Sequence, residues 1–180
     1  MNILYLDLVL FKEIVFPYVA GRYGRIEEVP NYLDDTEGIA QLEGVIERSK
    51  IDVFYPGVLE KTTQILIEIN KGHFFGNGNK RLALVTSVMF LFLNDKDFKD
   101  ESEEFYKAVL CELFPEFKDF CDFPDFSATE YATYNLSIII ADSGKLGIEH
   151  QDLKDRVLKF FAQVTEEIPD GERDYKPHWM

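Results

Sequence analysis

The chain has 180 residues, with 33 Asp and Glu against 19 Lys and Arg, a formal charge of -14 and 46% hydrophobic residues. With 16 Phe and 9 Tyr beside many Ile, Leu and Val, it carries enough apolar side chain for a packed core, which predicts one soluble globular domain despite the charge. A surface this acidic repels phosphate backbones and anionic lipid, so nucleic-acid and membrane-surface partners are disfavoured.

Taken in order, residues 3–16 are apolar enough for a partly buried helix, which Pro17 is expected to limit. Asp7 and Lys12 interrupt this stretch and no basic residue precedes it, so it does not read as a secretory signal. The longest apolar run, 88–93, is far short of a membrane span, and a cytoplasmic address is the default expectation. Capping residues gather at 31–36, and Ile39, Leu42, Val45 and Ile46 then recur at helical spacing to about Lys50. Residues 51–57, β-branched and aromatic before Pro56-Gly57, predict an extended strand or small hairpin. A helix follows from about Val58 to Asn70, with Gly72 as its stop. From Asn79 the pattern is apolar nearly all round, as in a helix at the centre of a core.

Beyond Asp100, residues 102–113 read as an acidic helix, and Phe114, Phe117, Phe120, Phe123 and Phe126 then recur at every third position. These rings either pack that segment onto the domain or form an acidic, aromatic docking surface, and burial distinguishes the two. Ser127-x-x-Glu130 is a capping box opening a helix to about Ala141, and a last helix runs from about Glu149 to Val164. The fold class is therefore mainly α. Cys111 and Cys121 stand ten apart with no CxxC pairing and no nearby His, which supports neither a disulfide framework nor a zinc site.

Charge is uneven: residues 1–99 are net -3 and residues 100–180 net -11. No carboxylate lies between Glu68 and Asp95, a window that holds Lys71, Lys80 and Arg81, so an anion-compatible island sits in an acidic protein. Its centre is His73-Phe74-Phe75-Gly76-Asn77-Gly78-Asn79-Lys80-Arg81, a loop between two helices. Gly76 and Gly78 can take φ > 0, which lets successive N–H groups converge. The next helix opens there, with unpaired donors and the positive end of its dipole, and Lys80 and Arg81 add fixed charge. Histidine ordinarily titrates near neutrality, and His73 at the loop edge suits a general base.

His73-x-Phe75-x-Asn77-Gly78-Asn79-Lys80-Arg81 resembles the signature of the Fic/Doc superfamily, and specifically its Doc (death-on-curing) branch, in which Asn-Lys-Arg replaces Asn-Gly-Arg. Leu84 also looks Doc-like, since typical Fic motifs carry a second Arg there. The resemblance extends over about 2–98 and 131–161, leaving 99–130 as an acidic, Phe-rich insertion in a single 1–168 domain with a loose tail at 169–180. It implies the Fic fold, an all-α helical bundle with a short β-hairpin flap, and a transferase that uses ATP and Mg²⁺ to modify a protein hydroxyl.

By the same resemblance His73 is the catalytic base, Phe75 anchors the motif, and Gly76, Gly78, Asn79, Lys80 and Arg81 hold phosphates. Asp52, Val53, Phe54 and Tyr55 belong to the flap that aligns the target. Phosphorylation is favoured over AMP transfer (AMPylation), as in Doc, a kinase that acts on a translation factor and is the toxin of a toxin–antitoxin pair. An antitoxin is accordingly an implied partner. The family places Asp or Glu where Asn77 stands; an amide oxygen can ligate a hard cation but lacks the charge, which makes Asn77 a weakened metal ligand and opens the alternative of a non-catalytic binding module. Thr36-Glu37-Gly38 and Thr165-Glu166-Glu167 do not match the spacing of the self-inhibitory pattern found in many Fic proteins.

Overall fold

The computed structural model describes residues 3–26 and 28–169; most of the expected tail, 170–180, lies outside the described residues. The architecture is mainly helical, as the sequence predicts, with one small two-stranded sheet. Residues 3–7 are not helical. Leu4 exchanges hydrogen bonds with the Asn94 side chain at 2.8 and 2.9 Å, and the Asp7 carboxylate accepts from Leu10 N–H, so the first helix begins at Leu8. It runs through α1 (Leu8–Leu10), a π-helical turn (Phe11–Val15) and α2 (Phe16–Tyr23). Pro17 does not end it. Phe16 N–H bonds Phe11 O, and this one-residue shift in register puts Pro17 in the first turn of a fresh α-helical segment, where its missing N–H and its ring are tolerated.

After a 3₁₀ turn (Tyr32–Asp34), Asp35 caps α3 (Thr36–Ser49). The central pair is α4 (Val58–Lys71) and α5 (Asn79–Leu93), joined by the loop 72–78 and packed along one another. Of the α5 residues, Leu82–Leu91 are all buried, which is the all-round apolar helix read from the sequence. Around this pair lie α3, α2, α7 (Ala128–Asp142) and α8 (His150–Val164), with α6 (Glu103–Leu113) against α7 and α8. Antiparallel strands β1 (Lys96–Phe98) and β2 (Thr165–Glu167) complete the fold. Among the described residues no helix is long and apolar enough to cross a membrane.

The stretch before α4 differs from expectation as well. Residues 51–57 form no strand: the N–H groups of Phe54 and Tyr55 both reach Ile51 O, a tight turn, because Lys61 captures Asp52 and no neighbouring strand is offered. Of the two readings of the phenylalanine series, packing is the one observed: the rings hold the insertion on the domain without forming a helix. Phe114 and Phe117 are buried, Phe120 lies parallel to Tyr131, and Phe123 and Phe126 meet Tyr134 edge-on. The capping box at Ser127 and Glu130 is present, and the buried Glu130 also takes a bidentate bond from Arg22 of α2 at 2.5 and 2.8 Å.

Candidate functional site

Helix α4 ends at Gly72, and the next residue, His73, takes φ 50, the left-handed conformation that commonly terminates helices but that a side chain opposes. The turn leaves His73 exposed. Phe75 then dives inward: it is buried and meets Tyr32 and Phe16 edge-on, with ring centroids 4.9 and 6.4 Å away. Gly38 of α3 makes room for it, since a methyl group there would lie 2.6 Å from the Phe75 ring and 2.5 Å from Phe74 O. The anchoring role expected for Phe75 therefore has a physical basis.

The loop is closed by side chains expected to hold ligands. Asn79 Nδ2 donates to Phe75 O at 2.6 Å and its Oδ1 accepts from Phe75 N–H at 3.1 Å, so Asn79 staples the loop and leaves only its backbone N–H for an anion. Gly78 adopts φ 80, and a Cβ there would come within 2.5 Å of the Tyr32 hydroxyl, which itself donates to Gly78 O at 3.1 Å. Gly76, in contrast, has no positive φ and no neighbour within 4 Å of a Cβ; only one of the two glycines is conformationally required. Arg81 is buried, and its guanidinium donates to Glu28 O and to Asn77 Oδ1, so its charge lies beneath the loop rather than in the open.

A cleft of about 370 Å³ opens above this loop, walled by His73, Gly76, Asn77, Gly78, Asn79, Lys80 and Arg81 on one side and by Ala141, Asp142 and Lys145 at the end of α7 on the other. The first turn of α5 presents N–H groups that helix geometry leaves without intrahelical acceptors, and exposed Lys80 stands beside them. Lys145 pairs with Asp142 at 2.6 Å on an exposed rim. Asn70 lines the cleft with 3% exposure; its Nδ2 donates to Ser137 O, while Oδ1 is buried without a partner. Arranged this way, the site can hold an anion against helix α5 with an imidazole at its edge.

The residues do not fit a resident Mg²⁺. Asn77 Oδ1, the expected ligand, accepts from Gly78 N–H at 2.7 Å and from Arg81 at 3.3 Å, and Nδ2 is engaged with Glu28 O. A cation there would face a guanidinium across the oxygen it needs. Among the described residues no group of three His, Cys, Asp or Glu side chains stands together.

The expected target flap does not join the site. Its residues Asp52, Val53, Phe54 and Tyr55 precede the start of α4, whereas His73 follows its end, and 14 helical residues span about 20 Å. None of the four lines the His73 cleft. Sequence reasoning in turn missed Asn70, Asp142 and Lys145. A polar residue on the buried side of α4 was the signal for Asn70; nothing local marks the end of α7 as the opposite wall. A scan against family models, a search of curated proteins and a search of solved structures each returned no match.

Proposed function

We propose that the chain is a Doc-like transferase of the Fic/Doc type, which moves the γ-phosphoryl group of ATP onto a hydroxyl of another protein. The observation that carries this reading is the single cleft in which His73, the N-terminus of α5 and Lys80 meet. The donor phosphates lie against the N–H groups of Asn79 and Lys80, with Lys80 and Lys145 countering their charge and Arg81 adding a positive field from below. The His73 imidazole takes the proton of the attacking hydroxyl. The oxygen–phosphorus bond forms as the bond to the departing ADP oxygen breaks. Any cation that accompanies the nucleotide is left to its own phosphates, since Asn77 is engaged in the loop.

A non-catalytic anion-binding module of the same fold is the second reading, and the bonded state of Asn77 favours it. The two separate on incubation with a bacterial lysate and ATP labelled at the α or the γ phosphate, beside His73→Ala. Protein label from γ alone, lost in His73→Ala with nucleotide binding retained, is the expected result. Label from α instead identifies an AMP transferase. No label from either position, with binding of ATP intact, selects the module.

A further inference from the structure

Helix α5 can hold an anion at its N-terminus only while its first N–H groups stay aimed at the cleft, and a residue from outside the loop acts on the peptide unit that opens the helix. Gly78 O and Asn79 N–H belong to one planar, trans peptide unit, so they point in opposite directions. Fixing the oxygen therefore fixes the hydrogen. Gly78 O accepts two hydrogen bonds, from Leu82 N–H at 3.0 Å and from the Tyr32 hydroxyl at 3.1 Å. The first is the ordinary opening bond of an α-helix. The second comes from the 3₁₀ turn 46 residues earlier in the chain and has no counterpart in helix geometry.

Gly78 needs such a restraint, because a glycine at φ 80 has no side chain to limit its torsions. Tyr32 is well placed to supply it. The side chain is 2% exposed, its ring is stacked on Phe16 with centroids 4.7 Å apart, and Phe75 meets it edge-on at 4.9 Å. Burial pushes the phenol up to about 12 against the pull of Arg81, so the hydroxyl is a donor throughout the neutral range. A carbonyl that accepts a hydrogen bond polarises its peptide unit, which makes the N–H at the other end a stronger donor. Asn79 and Gly78 line the cleft, whereas Tyr32 does not and can act only through them.

We propose that Tyr32 is a positioning residue of the His73 cleft, its hydroxyl holding the Gly78–Asn79 peptide so that Asn79 N–H is aimed at a bound phosphate and polarised toward it. This rests on the reading of that cleft as a phosphate site. Tyr32→Phe tests it, since the ring and its packing remain and Gly78 O keeps the bond from Leu82. Calorimetric titration with inorganic pyrophosphate in EDTA measures affinity, and proton–nitrogen amide spectra of the same samples follow each N–H of the loop. The variant should melt close to the parent and bind pyrophosphate about fivefold more weakly. The amide shift that pyrophosphate induces at Asn79 should shrink while that at Lys80 persists, a selectivity that general loosening of the fold would not produce. Affinity within about twofold of the parent overturns the proposal. So does a loss spread evenly over the amides of 76–81 with a fallen melting temperature, which makes Tyr32 a packing residue only. A parent that binds no pyrophosphate refutes the phosphate reading itself, and the role of Tyr32 falls with it.

Discussion

Lys61 and Asp52 form an ion pair across a boundary: the lysine side chain has no exposed surface, the aspartate side chain is 78% exposed, and the two meet at 2.8 Å. Burial alone would lower the Lys61 pKa, but hydrogen bonds to Asp52 and Tyr5 outweigh it and hold the ammonium above its usual range. The partners are therefore unequal. Asp52→Ala removes the counter-charge of a buried ammonium that keeps its bond to Ser49 O and should cost roughly 2 kcal/mol, whereas Lys61→Met leaves a carboxylate already in water and should cost about 1 kcal/mol. Because the folded-state pKa is the higher one, the pair's contribution is complete below the ordinary lysine value and is lost as pH rises through the folded value. Urea denaturation of both variants at neutral and alkaline pH checks the order and the sign; equal costs would refute the asymmetry.

Asn77 acts in this fold as a clasp between Gly78 N–H and Arg81. Asn77→Ala should lower stability by about 1–2 kcal/mol and weaken binding of pyrophosphate. Asn77→Asp keeps both of these bonds and strengthens that to Arg81 but gives up the one that Nδ2 donates to Glu28 O, so stability should change by less than in Asn77→Ala, while the added negative charge should weaken pyrophosphate binding. Calorimetric titration with pyrophosphate in EDTA, and again with Mg²⁺, provides the readout. Tighter binding by Asn77→Asp only when Mg²⁺ is present would instead make position 77 a metal ligand.

The two loop glycines should respond unequally to alanine. At Gly78 the φ of 80 and the 2.5 Å approach to the Tyr32 hydroxyl predict a loss of roughly 2–3 kcal/mol for Gly78→Ala. Gly76→Ala meets nothing within 4 Å and should fall within about 0.5 kcal/mol of the parent. Thermal melts of the pair suffice, and similar midpoints would contradict the loop geometry.

Tyr131 is buried, with a hydroxyl that has no partner. Removing it by Tyr131→Phe should stabilise the protein by about 1 kcal/mol. Burial, reinforced by Glu103 and Asp122, pushes this phenol up to about 12. A raised folded-state value means that its contribution is complete below the ordinary tyrosine pKa near 10 and disappears as pH climbs through the folded value. The variant should accordingly lose less stability than the parent between those limits, as followed by circular dichroism. A destabilised Tyr131→Phe would indicate a hydrogen bond made through solvent.

The helices were legible where their determinants are local. Asp35, Ser102 and the Ser127–Glu130 box each bond an N–H within three residues, so a short window of sequence contains the whole cause. The closure of the loop by Asn79 on Phe75 was not read from the sequence, which gave Asn79 only as a phosphate holder. Errors fell where the cause lies far away. Helix α1 starts late because Leu4 is held by Asn94, and residues 51–57 turn instead of extending because Lys61 holds Asp52 from the next helix. Continuation through Pro17 depends on a register shift that no periodicity reveals. The far wall of the His73 cleft comes from the end of α7, and only tertiary packing brings it there.

The ladder between β1 and β2 joins Lys96 to Glu167, 71 residues apart, through three residue pairs. Closing so long a segment carries a large chain-entropy cost, and three pairs return little until α6, α7 and α8 have already brought the ends together. The ladder is therefore expected among the last elements to form and the first to open, which makes it a reporter of completed folding. The N–H of Lys99 bonds Val164 O and that of Ile168 bonds Asp95 O, so exchange of these two hydrogens with solvent deuterium measures how often the loop between them comes apart while the α4–α5 pair stays closed.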